Sequence, residues 1–174
     1  TDRIPLEEFQ KIYGDMSNSK YIAAILQYNS SDKQENTIQL VNKSFQGKKA
    51  VLGIIGSGNF TSSTILPNLK KCKADIKFIA SSSGLSSTIM AKKFGIVNST
   101  SEYLEILKDE EVDLVFITTQ HNMHAKITIE AINAGKSVFV EKPLALNENE
   151  LEEIIQNYNS KNVNISVGFN RRFA

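Results

Sequence analysis

The stretch VLGIIGSGNFTSSTILPNL, Val51 to Leu69, decides how this chain folds. An apolar run meets two glycines one residue apart, and a helix-like pattern follows directly. A backbone made this permissive lets something come close, either a nucleotide phosphate or a neighbouring segment in a tight turn. Gly56-Ser57-Gly58-Asn59-Phe60-Thr61 lies between a predicted strand and a predicted helix, the setting that gives a G-x-G pattern meaning. In that setting the first glycine makes the turn and the second lets the backbone touch a pyrophosphate. The helix amides and dipole then hold the anion. Thr61 stands at the third position in place of glycine or alanine, which predicts a looser or shifted strand–helix contact. On this motif alone the plain turn stays open.

Outward from it the rhythm is regular: strand 50–55, helix 60–71, strand 75–81, helix 84–94, a short strand near 96–97, helix 101–109, strand 112–118, helix 122–134, strand 137–141, helix 147–159 and strand 163–168. The strands VLGII, IKFIA, VDLVFIT and SVFV are nearly continuous apolar runs, as strands buried on both faces must be. Alternation with helices implies right-handed crossovers and an α/β fold with a doubly wound parallel sheet, of the Rossmann type.

Upstream, Ile4 to Tyr13 carries proline at a possible first helical position, early acids and apolar residues at 6, 9, 12 and 13, a short amphipathic helix. Lys20 to Tyr28 reads as a strand, and polar Asn29 to Lys49 as a linker. The expected division is a helix–strand extension over 1–48 and a nucleotide-binding domain over 49–174.

The 174 residues suffice for one ordinary domain and part of another. Twenty Lys and Arg against 19 Asp and Glu leave no field to recruit nucleic acid or an anionic membrane, so a small molecule or protein is the expected partner. The lone Cys72 cannot form an internal disulfide, and no run of 18 apolar residues suggests a membrane span. A cytoplasmic location is expected. The chain begins at Thr1 without methionine and stops just past an apolar strand, so it reads as a piece of a longer protein.

Polar groups gather where strands end, at the carboxyl edge that binds ligands in open α/β sheets. The second strand ends in Ser81, Ser82 and Ser83, with no acid to repel a 2′-phosphate, so either NAD or NADP is admissible, with a lean to NADP. A polar turn with a capping serine would look the same. Thr118 and Thr119 end another strand, and His121 and His124 follow in a first helical turn, where both are expected to line the crevice. A metal pair is a poor reading of them, because i, i+3 histidines without nearby Cys or acids supply too few ligands. Glu141-Lys142-Pro143 closes the strand SVFV. A lysine there, desolvated beside a cofactor, could relay a proton to a substrate hydroxyl, though a solvated lysine before a turn proline fits the spacing equally.

Gly56-Ser57-Gly58-Asn59, Thr119-Gln120-His121-Asn122-Met123-His124, Ala134-Gly135-Lys136, Glu141-Lys142-Pro143-Leu144 and Gly168-Phe169-Asn170-Arg171-Arg172-Phe173 together resemble the N-terminal nucleotide domain of the glucose–fructose oxidoreductase / inositol dehydrogenase (Gfo/Idh/MocA) family, over about 50–174. The resemblance implies an NAD(P)-dependent dehydrogenase acting on a sugar-like or cyclitol-like substrate. It implies that Lys142 is the catalytic lysine of the Glu-Lys-Pro motif, often followed by a cis peptide. Gly56, Ser57, Gly58, Asn59, Phe60, Ser81, Ser82 and Thr118 would hold the cofactor. Thr119, His121, His124, Glu141, Lys142 and Arg171 would approach its nicotinamide half. The departures are Thr61, Gln120 where proline is usual, and the serines after strand two. A C-terminal substrate domain, absent here, would complete catalysis, and an oligomer is compatible with the resemblance. Residues 1–46 are similar to the closing helix and strand of zinc-type medium-chain alcohol dehydrogenases, as in some bacterial proteins that resemble a fusion of the two enzymes. A different reading keeps the fold and drops the chemistry, leaving a nucleotide-binding or scaffolding module.

Overall fold

The computed structural model describes residues 2–10, 14, 23–28, 35–45, 47 and 49–169. The chain divides into two units, Thr1–Glu35 and Asn36–Ala174.

In the first unit, β1 (Asp2–Pro5) and β2 (Ala24–Gln27) pair in parallel, Asp2 opposite Ala24 and Pro5 opposite Gln27. The expected helix from Ile4 needs correction at its start. Ile4 and Pro5 belong to β1, Pro5 has an extended ψ of 144°, and a 3₁₀ turn begins only at Leu6. Residues 11–13 of that expected helix lie outside the described residues. β2 lies within the expected strand.

The second unit holds a sheet of seven strands. They are β3 (Thr37–Gln39), β4 (Val51–Ile55), β5 (Asp75–Ala80), β6 (Asn98–Thr100), β7 (Leu114–Ile117), β8 (Ser137–Glu141) and β9 (Ile165–Gly168), ordered β3-β6-β5-β4-β7-β8-β9. Every pair is parallel except β3, which runs antiparallel to β6. The connecting helices are α1 (Leu66–Lys71, led in by a π-helical turn over Thr61–Ile65), α2 (Leu85–Phe94), α3 (Leu104–Lys108), α4 (His124–Asn133) and α5 (Glu148–Asn159).

Successive residues of a strand point to opposite faces, so β4 feeds two cores. Ile54 joins Leu66, Ile79, Ala91 and Ile96 beneath α1 and α2. Ile55 joins Ile106, Val115, Ile117, Ile127, Ala131, Val138 and Val140 beneath α3 and α4. A third cluster, Ala125, Ile132, Ile154 and Val163, seals α4 to α5. Right-handed connections leaving β4 in both directions place helices on both faces, and strand order reverses beside β4.

Two strands differ from expectation. β3 sits inside the expected linker, and the compact unit starts at Asn36, not near residue 48. An edge strand of three residues is held by its main chain and shows no apolar period. β6 lies at 98–100 instead of 96–97, and its Asn98, Ser99 and Thr100 are buried although polar. Ser99 satisfies its hydroxyl with Thr88 at 2.9 Å and Ser87 at 3.0 Å, so burial here rests on hydrogen bonds.

Candidate cofactor cleft at the strand carboxyl ends

Gly56 leaves β4 at φ +113°, a conformation open to glycine. A Cβ there would lie 2.6 Å from the carbonyl oxygen of Thr118, so the turn is packed against the end of β7. Its amide donates to Ala80 at 3.0 Å, tying β4 to β5 past the ladder. Gly58 differs: a Cβ built on it meets nothing within 4 Å. The space belongs to a cleft of about 760 Å³, whose walls include Gly56, Ser57, Gly58, Ser81, Ser82, Thr118 and Thr119. Asn59 and Phe60 open the helical run and stand beside the cleft without lining it; the Asn59 carbonyl accepts the hydroxyls of Ser62 and Ser63 at 2.9 and 2.7 Å.

Thr61 is buried, and its hydroxyl pairs with that of Thr118 at 2.7 Å. The strand–helix contact is therefore shifted into a wide π turn, and the added side chain is used.

At the end of β5, Ser81 accepts the Ser87 amide at 3.2 Å and donates to the Ser87 hydroxyl at 3.0 Å, fastening the start of α2. Ser82 and Ser83 face the cleft, and Ser57 meets Ser86 at 2.6 Å across its floor. The wall beyond them is Ser101, Glu102 and Tyr103, at the carboxyl end of β6. Sequence reasoning missed these three. The rule that ligands gather at strand ends would have found them had β6 been placed correctly. The Glu102 carboxylate accepts the Leu104 amide at 3.2 Å. The Tyr103 hydroxyl donates to Glu130 at 2.6 Å, and burial together with that bond holds the phenol well above its ordinary range.

After β7, Thr118 donates to the Gly56 carbonyl at 3.1 Å, and Thr119, Gln120 and Met123 continue the wall. Gln120 sits at φ −69°, ψ 148°, a geometry that proline would also adopt, so the turn keeps its shape without the ring. His121 is exposed in the 3₁₀ turn His121–Met123. His124 corrects the expectation: it is 0% exposed and packs inside the fold instead of lining the crevice. Its Nδ1 lies 2.7 Å from the Pro143 carbonyl oxygen and its Nε2 3.2 Å from that of Thr119.

β8 delivers Glu141 half-buried and Lys142 exposed, and the Lys142–Pro143 peptide is cis. A Cβ on Gly168 of the neighbouring β9 would lie 2.7 Å from Glu141 Oε1, so glycine makes room for this carboxyl. Burial pushes the Glu141 carboxyl above its usual range, against the Lys142 amide and the charges of His124 and Lys142. His121, Glu141 and Lys142 share the carboxyl edge with the cleft but stand outside its wall. Arg171 lies outside the described residues. Among the described residues no group of three or more His, Cys, Asp or Glu could hold a metal ion, and no helix is long and apolar enough to cross a membrane.

The residues of the cleft are compatible with a dinucleotide: Gly58 leaves open the space a side chain would fill, and the serine and threonine hydroxyls of the wall alternate with apolar Ile55, Ala80, Met123 and Ile127. The levoglucosan dehydrogenase of Pseudarthrobacter phenanthrenivorans is 36% identical over 96 residues, 55% of this chain and 25% of that enzyme. The myo-inositol 2-dehydrogenase of Thermotoga maritima is 34% identical over 84 residues, 48% of this chain and 25% of that enzyme. A solved levoglucosan dehydrogenase in complex with NADH superposes with a TM-score of 0.65 at 31% identity, over 72% of this chain and 36% of that one. The chain thus spans well under half the length of these relatives. Residues 50–169 match the model of the oxidoreductase family with an NAD-binding Rossmann fold, and the chain belongs to that family, Gfo/Idh/MocA.

Proposed function

We propose that residues 36–174 are the cofactor-binding part of an NAD(P)-dependent dehydrogenase that moves a hydride between nicotinamide and a hydroxyl or carbonyl of a sugar-like or cyclitol-like compound. The observation that carries this is Gly58, whose missing side chain opens onto a cleft at the switch point of the sheet. Gly56 sets the turn, Ser57 and Gly58 face the phosphates, and Ser81 and Ser82 face the ribose end. Thr118 and Thr119 wall the nicotinamide end, with His121 and Glu141 on the same edge; the sequence resemblance adds Arg171 to this set. Bound nicotinamide supplies the hydride acceptor or donor. The work of this chain is to hold that ring and to move one proton: as a substrate alcohol becomes a carbonyl, Lys142 Nζ takes the hydroxyl proton, and in reverse it returns it.

The shared edge and the catalytic activities named for the relatives support this role for Lys142. The greater length of those relatives supports placing the substrate pocket in a further domain outside these residues. We read residues 1–46, on the sequence resemblance alone, as the end of an upstream dehydrogenase-like domain, of which Thr1–Glu35 form a compact unit of their own. The uncharged end of β5 admits both cofactors and leans to NADP, while Glu102 on the far wall is engaged by Leu104. A cytoplasmic location fits the unpaired, exposed Cys72.

The test is turnover by the longer protein with polyols and each cofactor. Lys142→Ala should lower kcat by roughly 10²- to 10⁴-fold with cofactor affinity nearly unchanged. A variant with normal kcat would remove the lysine from the chemistry.

A further inference from the structure

Both ring nitrogens of the buried His124 face carbonyl oxygens, Pro143 at 2.7 Å and Thr119 at 3.2 Å. A carbonyl oxygen only accepts, so each contact is a hydrogen bond only if its nitrogen carries hydrogen. A neutral imidazole carries one. In that form the second contact would set a ring lone pair against a carbonyl lone pair, in a ring that is fully buried. The doubly protonated ring satisfies both contacts at once.

The two carbonyls lie on different turns. The β7–β8 ladder ends at the pair Ile117–Val140, and beyond it His124 ties the Thr119 turn to the Glu141-Lys142-Pro143 turn. The charged and titratable neighbours are Glu141 from β8, a favourable partner for a cation; Lys142 on the same turn, which opposes it; and the His121 ring at 5.6 Å, edge-on. Where α4 packs on α5, the cluster of Ala125, Ile132, Ile154 and Val163 is apolar.

We propose that His124 is kept as an imidazolium that staples these two turns together, and so is a positioning residue that holds the Lys142 turn against the wall of the cleft. The positioning role rests on the dehydrogenase reading above; the charge state does not.

The chain has two histidines, which makes the test direct. Long-range proton–nitrogen NMR of the whole chain, with His121→Gln to assign the signals, reports whether each ring nitrogen carries hydrogen. At about pH 8 an unperturbed histidine is almost wholly neutral. The His124 ring should still show hydrogen on both nitrogens. One bare nitrogen at that pH would overturn the proposal. This measurement needs no His124 variant and no cofactor, so it decides even if a variant fails to fold or NADH fails to bind. If wild type binds NADH, His124→Phe, which keeps a ring without donors, should weaken binding by roughly tenfold, the size of one lost buried hydrogen bond. His124→Gln, with amide hydrogens to give, should recover part of the loss. Equal NADH affinity in wild type and a folded His124→Phe would overturn the positioning role.

Discussion

Thr61 and Thr118 meet hydroxyl to hydroxyl at 2.7 Å, joining the helix that follows the glycine turn to the end of β7. Thr118 has one hydrogen, and the Gly56 carbonyl at 3.1 Å and the Ile55 carbonyl at 3.3 Å can only accept it, which leaves Thr61 to donate to Thr118. The chain Thr61 to Thr118 to Gly56 thus holds the glycine turn from behind. Thr61 at the glycine position of the fingerprint therefore has a structural use that leaves the cleft open. Thr61→Val keeps the shape and removes the donor. It should lower unfolding free energy by about 1 kcal/mol, measured in urea. An unchanged midpoint would mean that the pair contributes nothing.

The two glycines should separate stability from binding. Gly56→Ala must place a Cβ 2.6 Å from a main-chain oxygen at φ +113°, so it should destabilise the domain by ~2 kcal/mol or more. Gly58→Ala meets nothing, so its melting temperature should match wild type while NADH binding weakens. The reverse pattern in thermal melts and titrations would show that the turn is misread.

Cofactor choice should respond to Ser81. Aspartate can still accept the Ser87 amide and loses only the bond that Ser81 donates to the Ser87 hydroxyl, so Ser81→Asp should fold. Its charge should shift preference from NADPH toward NADH by about tenfold, about 1.4 kcal/mol. A wild-type chain that already favours NADH tenfold would refute the lean to NADP.

Much of this arrangement is legible in the residues because β4, β5, β7 and β8 are apolar runs whose ends carry distinctive groups: paired glycines, serines, threonines and Glu-Lys-Pro. What escapes is held by polar contacts. β6 is buried through the hydroxyls of Ser87, Thr88 and Ser99, which a reading of apolar runs discounts, and its misplacement hid Ser101, Glu102 and Tyr103. β3 pairs through backbone alone. His124 belongs to the same class: polarity at a strand end suggests a ligand contact, yet the carbonyls of Thr119 in the adjoining turn and of Pro143 beyond β8 converge on it and draw it inside. Such convergence has no local signature.

Glu141 should make stability depend on pH in a stated direction. Burial raises its carboxyl above the ordinary value of 4.5, so the folded state holds the proton more tightly than the unfolded state does. Stability attributable to this group therefore falls as pH rises from the unfolded value through the folded one, and the loss is constant above that window. Glu141→Gln carries no such loss. In melts across pH, the variant should gain on wild type through the window and then keep a constant lead. A lead that shrinks as pH rises would contradict the placement of this carboxyl.

The most direct measurement is calorimetric titration of the 174-residue chain with NADH and NADPH, beside Gly58→Val. Wild type should bind at least one of them saturably. Gly58→Val should bind neither while keeping the wild-type circular dichroism, because its side chain enters the open space where the pyrophosphate would lie. A folded wild-type chain that takes up neither nucleotide at millimolar concentration, or a Gly58→Val chain that binds as wild type does, would contradict the assignment of this cleft.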